Sequence, residues 1–366
     1  MPGFNLDSTL PPGALSDGPQ LTAAANQAIA LARSGESRKG LALALLARNQ
    51  ARVLDLRRGE AEALNAAAVV HAIRGDHISA VAAAIDACEL AGRLEGRSIL
   101  GHSRVTLGSA AFALGMVGEA RAALEACLAQ AVCCGDRELE VRARSGLGIV
   151  LGDLGEFEAA TQELARVLFL VERHQQMTCP ARALSNLANL HAKRAKKHLA
   201  AGDRIAAASD CEDADRLAAR ALEVADARGN LSVQIDAAGI RGKVRDLLGE
   251  PHEALLFLAS ACRAGIAARS RTPLLWVLCE QGRIHRGLGQ LDAARTAYDE
   301  ALEIAAELRP SPKIAEACQG LEWVERAAGN EAAARRWSEQ AHVETEAFEH
   351  ARAQTRRQLD AFFAAG

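Results

Sequence analysis

The sequence predicts an all-α fold built from repeated helical hairpins. Eight glycines recur at intervals of 40, 40, 40, 47, 47, 40 and 40 residues: Gly35, Gly75, Gly115, Gly155, Gly202, Gly249, Gly289 and Gly329. Such a period is typical of one supersecondary unit that is copied and stacked. The composition agrees, because 49% of the residues are hydrophobic and only 3% are aromatic, with helix-favouring Ala and Leu dominant. We expect no strands, and a function that lies on a shared surface.

Composition also limits the architecture and the partners. Residues 1 to about 20 are rich in Pro, Gly, Ser and Asp, and we expect a mobile leader before a single domain over residues 21–366. The net charge of -3 does not favour general nucleic-acid binding. No signal peptide or membrane-spanning stretch is recognised. The nine cysteines have no metal-ligand spacing and are interpreted as core residues in a reducing compartment, so the expected location is the cytoplasm.

The eight periodic glycines are the marker glycines of the repeats. Each is expected to form the turn of a hairpin, because a residue without Cβ accepts the left-handed conformation at a helix end. Small residues recur at three positions around it, where we expect helices to approach closely. Five residues after the glycine come Gly40, Ala80, Ala120, Ala160, Ala207, Ala254, Ala294 and Ala334. Twelve residues after it come Ala47, Ala87, Cys127, Val167, Ala214, Ala261, Ala301 and Ala341. Seven residues before it come Ala28, Ala68, Gly108, Gly148, Ala195, Gly242, Gly282 and, as the exception, Glu322.

This spacing of small residues resembles the tetratricopeptide repeat (TPR). The segments LGEFEAATQELARVL, LGEPHEALLFLASAC and LGQLDAARTAYDEALEIA look like its turn and second helix. The resemblance covers about residues 21–350. It implies a TPR-like right-handed α-solenoid of about eight helical hairpins with a capping C-terminal helix. Arrays with a period of 40 residues are similar to those of bacterial signalling proteins such as TPR-containing diguanylate cyclases.

The junctions between hairpins carry their own signals. Thr272 and Ser311 each precede a proline, which predicts a capping hydroxyl at the start of a first helix. Gly135 and Gly229 mark the same junction in other repeats.

Both 47-residue intervals flank Gly202 and predict a longer, protruding hairpin at about residues 186–226. Its first arm is basic and its second arm is acidic. Two interpretations stay open: the charges pair across the hairpin or are solvated, or they form an interaction knob. The basic residues are Lys193, Arg194, Lys196 and Lys197, and the acidic ones are Asp210, Glu212, Asp213 and Asp215.

The last unit predicts a capping helix at about residues 331–362. Trp337, Phe348, Phe362 and Phe363 on this helix need cover, which leaves a homodimer through the helix as an option. The same stretch resembles the helix that leads from such repeats into a cyclase output domain, and the chain stops before one. A free-standing protein, a split partner and a chain cut at the linker are the three explanations.

The resemblance also implies a binding surface, because the first helix of each TPR hairpin lines the concave groove. Arginine forks suit carboxylates, so a row of cations with two tryptophans indicates a partly acidic peptide with an apolar anchor. Alternatively, the cations are only solvated and Trp276 packs between hairpins. The same face also carries Glu62, Asp236 and Glu316 as opposing charges. The predicted partner-binding residues are Asn65, His102, Arg142, Arg182, Asn189, Lys193, Lys243, Trp276, Arg283, Arg286, Trp323 and Arg326.

No motif in the sequence carries chemistry. The segment GLGIVLG at residues 146–152 falls inside a predicted helix and lacks the strand of a phosphate loop. We therefore expect no enzyme activity, no cofactor and no metal. The leading hypothesis is a protein- or peptide-binding scaffold or adaptor. The alternative is the sensory array of a bacterial signalling system that lacks its output domain.

Overall fold

The computed structural model describes residues 15–94, 98–173, 180–306, 308 and 311–365. Within these ranges the chain forms sixteen α-helices and no strand, so the all-α prediction is confirmed. The helices are α1 (Gly18–Arg33), α2 (Ser37–Val53), α3 (Arg57–Ile73), α4 (His77–Gly92), α5 (Ser98–Ala113), α6 (Val117–Cys134), α7 (Arg137–Leu154), α8 (Phe157–Arg173), α9 (Pro180–Ala200), α10 (Arg204–Ala227), α11 (Leu231–Leu247), α12 (Pro251–Ala267), α13 (Arg271–Gly287), α14 (Leu291–Ala305), α15 (Pro312–Ala327) and α16 (Glu331–Ala365).

The eight marker glycines form the hairpin turns as predicted. All have positive φ, between 71° and 88°, where a side chain would be strained. The residue after each glycine donates its backbone N–H to the carbonyl five residues earlier, as Glu36 does to Leu31 at 2.8 Å. This bond satisfies a carbonyl that would otherwise be unpaired at the helix end.

The small residues around each turn are buried, and we call these positions the small-residue seam. All of them except Glu322 are buried, which confirms the prediction. A Cβ on Gly40 would lie 2.4 Å from the backbone oxygen of Ala28, so the helices touch there through their backbones. Glu322 is half-buried and forms an ion pair with Arg326 at 2.9 Å.

Most of the predictions for the junctions between hairpins are confirmed. Gly135 and Gly229 have positive φ, and Asp55 and Arg269 adopt the same conformation with φ of 51° and 50°. The hydroxyl of Ser311 accepts a hydrogen bond from Lys313 at the start of α15. The predicted cap at Thr272 is wrong: α13 begins one residue before Thr272, so its hydroxyl lies inside the first turn.

Contacts divide the chain into two compact units. Unit 1 comprises Met1–Ala143 and Arg352–Gly366, and unit 2 comprises Arg144–Ala351. Whether residues 21–366 act as one domain stays a prediction. α1 begins at Gly18, before the expected border at residue 21, and residues 1–14 of the predicted leader lie outside the described residues.

The hairpin of α9 and α10 is longer than the others, as predicted. These helices have 21 and 24 residues, whereas the remaining helices, apart from α16, have 15 to 18. Several of its charges are paired. Arg194 on α9 binds Asp210 on α10, and Asp215 binds Arg241 and Arg245 on α11. Pairing across the hairpin therefore holds for Arg194 and Asp210, whereas Asp215 pairs with the next hairpin.

The terminal helix α16 is confirmed, and two of its aromatic residues pack in unit 2. In unit 2, Phe348 is buried and Trp337 packs on a core cluster that contains Leu321. In unit 1, Arg352 donates to the carbonyl of Gly115 at 3.1 Å. The homodimer through this helix stays a prediction. No helix in the described ranges is both long enough and apolar enough to cross a membrane.

Candidate functional site

In each unit the first helices of successive hairpins contact one another. In unit 1, α3 contacts α1 and α5. In unit 2, α11 contacts α9 and α13, and α13 also contacts α15. These contacts between non-consecutive helices join odd-numbered helices, which are the first helices of their hairpins. Successive first helices therefore form a wall in each unit, and the predicted partner-binding residues lie on these walls.

The predicted residues of unit 1 engage one another or close neighbours. Arg142 Nη1 lies 2.7 Å from Nδ1 of His102, one repeat earlier. Burial lowers the pKa of His102 and the charge of Arg142 lowers it further, so the ring is neutral at pH 7 and its Nδ1 accepts the bond. The side-chain oxygen of Asn65 accepts a hydrogen bond from Thr106 at 3.0 Å. These contacts stabilise the wall.

The remaining predicted residues share the wall of unit 2, which we call the unit 2 face. Its members are Arg182, Asn189, Lys193, Lys243, Trp276, Arg283, Arg286, Trp323 and Arg326.

Most cations of the unit 2 face are paired with carboxylates of the same chain. Arg182 donates to Asp236, which the sequence analysis placed on this face as an opposing charge, and Lys193 donates to Asp153. Arg283 binds Asp246 at 2.7 Å and Glu280 at 2.9 Å, and Arg326 binds Glu322 at 2.9 Å. The face therefore carries charges of both signs, in place of a row of available cations.

Lys243 is the exception among the lysines of the unit 2 face. No hydrogen bond or ion pair joins it to another described residue, although its side chain is half-buried in α11. Burial lowers the pKa of Lys243. The charge of Lys193 lowers it further, and the attraction of Glu280 and Asp153 does not offset these effects. An ammonium in this position is stabilised when an anion approaches it. Asn189 on α9 likewise has no side-chain partner among the described residues.

The two tryptophans of the unit 2 face differ. Trp276 packs against Gly239 of α11, where an added Cβ would lie 2.7 Å from Cζ3 of the indole. Trp276 therefore packs between hairpins, which was the alternative to a role as an apolar anchor for a peptide. Trp323 on α15 is 43% exposed, and the guanidinium of Arg286 lies 5.4 Å from the centroid of its ring. Trp323 therefore offers an accessible aromatic surface with a cation beside it.

The sequence alone does not reveal Asp153, Asp246 and Glu280 as partners of these cations. For Asp153 the signal was the period itself, because stacking brings residues one repeat apart into contact on the same wall. The contacts at a separation of 40 residues are Thr22 with Glu62, His102 with Arg142, and Asp153 with Lys193.

One cluster of the described residues combines side chains that are able to bind a metal ion. His191, Asp210 and Asp213 have ligand atoms within 4.8 Å of one another. They lie on the long hairpin of α9 and α10, and histidine spacing along the sequence did not reveal them.

Comparison with known proteins identifies the repeats. Residues 273–342, from α13 into α16, match the family described as Tetratricopeptide repeat. The predicted TPR resemblance is confirmed over these residues, and the described residues have the fold of a helical repeat protein. Comparison with curated proteins gave no match. The finer resemblance to arrays of diguanylate cyclases stays a prediction.

Solved structures share this fold. A Rap protein complexed with competence and sporulation factor is similar with a TM-score of 0.62 and 13% identity, over 95% of this chain and 98% of that chain. The Rap conjugation gene regulator of plasmid pLS20, in complex with the Phr* peptide, gives a TM-score of 0.58 and 10% identity over 91% and 96%. The human IFIT1 dimer with m7Gppp-AAAA gives 0.55 and 14% over 84% and 68%. At these identities the likeness shows the fold alone.

Proposed function

We propose that this protein is a non-catalytic, cytoplasmic scaffold or adaptor that binds a peptide or an extended protein segment on the unit 2 face. The fold likeness supports this function, since one similar Rap structure is in complex with a peptide and another with competence and sporulation factor. Stacked helical repeats generally bind partners along an extended wall of this kind.

The single observation that carries the proposal is the unpaired ammonium of Lys243. Its neighbours Lys193 and Arg283 already have carboxylate partners, so the charge without a partner on this part of the face is that of Lys243. Leaving a charge partly desolvated is unfavourable. A ligand carboxylate that reaches Lys243 would offset this cost and form a charge-assisted hydrogen bond.

The ion pairs also narrow the chemistry of the partner. The partner is expected to be a peptide with one carboxylate, which contacts Lys243. Further acidic residues of the peptide would be repelled by the carboxylates of Asp153, Glu280 and Asp246. The amide of Asn189 is available for the peptide backbone. Trp323 offers an apolar or aromatic contact near the other end of the face.

Selection from a random peptide library on the full chain tests this function. We expect selected peptides to share an acidic residue or a free carboxyl terminus. Their affinity should fall about tenfold or more in Lys243→Gln, because a hydrogen bond between charged groups is lost. Lys196→Gln is the matched control, since it removes the same charge from an exposed lysine of α9. Equal affinity of both variants would overturn the role of Lys243, and a library without binders would overturn the function.

The alternative of a sensory array in a bacterial signalling system stays a prediction. The comparisons do not favour it, and no contact of the described residues distinguishes a sensor from a scaffold. A cyclase, kinase or DNA-binding segment encoded beside this chain would support it.

A further inference from the structure

The long hairpin brings three metal-binding side chains together in unit 2, with the imidazole of His198 beside one of them. His191 and His198 lie seven residues apart on α9 and therefore on the same side of that helix. Asp210 and Asp213 are three residues apart on α10. A tight seam of alanines from both helices, with Ala192, Ala195 and Ala214 fully buried, holds these side chains in register.

The donor atoms of His191, Asp210 and Asp213 all lie within 4.8 Å of one another, close to the separations of ligands on one metal ion. His191 Nδ1 lies 3.0 Å from Asp210 Oδ1 and 3.9 Å from Asp213 Oδ2, and His198 Nε2 lies 3.6 Å from Asp210 Oδ2. A tetrahedral zinc ion with bonds of about 2.0–2.2 Å has ligands about 3.2–3.6 Å apart. One imidazole and two carboxylates are also donors that suit zinc and related ions.

A cation already lies among these atoms. The guanidinium of Arg194 donates from Nε to both oxygens of Asp210 at 2.9 Å, and its Nη2 lies 3.2 Å from His191 Nδ1. The side chain of Asp210 is only 5% exposed and must be compensated by a positive charge. Arg194 is 29% exposed and long, so its head group can move into solvent when another cation arrives.

We infer that His191, Asp210 and Asp213 form a binding site for a divalent transition-metal ion of the zinc class, with His198 Nε2, 3.6 Å from Asp210 Oδ2, as a neighbouring donor. Arg194 fills this site when no metal is bound. The ion replaces one positive charge by two and coordinates the donors directly. Metal binding and the Arg194 ion pair therefore exclude each other, and the ion joins α9 to α10 in the hairpin that departs from the 40-residue period.

Titration with Co²⁺, whose visible absorption reports coordination geometry, tests the site in the full chain. Cys133 and Cys134 are exposed thiols and are first replaced by Ser, so that they do not bind the ion. We expect the spectrum of a tetrahedral site without a sulfur-to-cobalt charge-transfer band. Zn²⁺ should displace the Co²⁺ and abolish the spectrum.

The variants distinguish this site from an ordinary ion-pair network. His191→Ala should weaken Co²⁺ binding at least about tenfold, whereas His252→Ala, which removes an exposed histidine of α12, should leave it unchanged. Arg194→Gln should strengthen binding about tenfold, because a competing cation is removed. Lys196→Gln carries the same charge change on the same helix and should have little effect.

Unfolding of the protein could not cause the stronger Co²⁺ binding that is expected of Arg194→Gln. If that variant does not fold by circular dichroism, Asp213→Asn, at a half-exposed position, replaces it and should weaken binding. Absence of the tetrahedral spectrum, equal binding by His191→Ala and His252→Ala, or weaker binding by folded Arg194→Gln would each overturn the site.

Discussion

The small-residue seam and the unit 2 face share the first helices of the hairpins but differ in regularity. The seam repeats in every hairpin, and Glu322 is its one exception. The unit 2 face changes from hairpin to hairpin, with Arg182, Lys243, Arg283 and Trp323 on successive first helices. The repeated positions therefore specify the fold, and the positions that differ are those on which a function can depend.

The largest effect should follow from crowding the seam. In Gly40→Ala the new Cβ would meet the backbone oxygen of Ala28 at 2.4 Å, and a backbone atom cannot move aside as a side-chain end can. We expect the free energy of unfolding to fall by about 1–3 kcal/mol in urea denaturation. Gly118→Ala, where nothing lies within 4 Å, is the control and should be neutral or stabilising. A neutral Gly40→Ala would contradict the close contact.

The junctions between hairpins offer a test of opposite sign. Arg269 has φ of 50° where other repeats have glycine, so Arg269→Gly should stabilise the protein by up to about 1 kcal/mol. Gly135→Ala puts a Cβ at φ of 69° and should destabilise it by about the same amount. Thermal melts of both variants check this. The same sign in both would show that backbone strain is not the cause.

The cap of α4 should respond to pH. Burial opposes the charge of Asp76, but hydrogen bonds from His71 and Ser79 outweigh it and lower the pKa of Asp76 to about 2. Because the pKa is lowered in the folded state, the contribution to stability is present above pH 3.8 and is lost as pH falls towards about 2.

Asp76→Asn keeps a capping side chain and removes this charge. It should lower stability by less than about 1 kcal/mol at neutral pH, since the carboxylate is partly exposed. Denaturation at pH 6 and again near pH 3 measures the difference, which should shrink in acid. A difference that grows in acid would contradict the lowered pKa.

The smallest effect on stability is expected on the unit 2 face. Arg283 and Asp246 are 40% and 25% exposed, so a double-mutant cycle with Arg283→Gln and Asp246→Asn should give a coupling below about 1 kcal/mol. Urea denaturation of the four proteins provides the coupling. A coupling free energy as large as the destabilisation by Gly40→Ala would contradict the view that the seam, and not the face, stabilises the fold.

The sequence predicts those parts of the fold in which a single residue type determines the backbone conformation or the distance between helices. Gly35 and its equivalents could be recognised because positive φ favours glycine, and Ala28 because only a small residue permits close packing. The pairing of Arg283 with Asp246 could not be recognised in this way. It depends on where long side chains end in space, and on neighbours contributed by another repeat.

The same reason explains what was missed at the two candidate sites. Lys243 resembles the other cations of its face in sequence, and only the map of ion pairs distinguishes it. His191 and Asp210 are 19 residues apart, and they meet because the two helices of the long hairpin pack in a particular register. Thr272 was mistaken for a cap because Pro273 is the third residue of α13, whereas Pro312 is the first residue of α15. The residue before α13 is Ser270.

The pH dependence of peptide binding tests the central claim, that a ligand carboxylate meets Lys243. Burial lowers the pKa of Lys243 in the free protein, and a bound carboxylate would raise it, so binding should take up protons. Calorimetric titration of a selected peptide, in buffers of different ionisation enthalpy between about pH 8 and pH 10, measures this uptake. We predict proton uptake and falling affinity with rising pH in the wild type, and neither in Lys243→Gln. Identical pH profiles without proton uptake in both proteins would contradict the account.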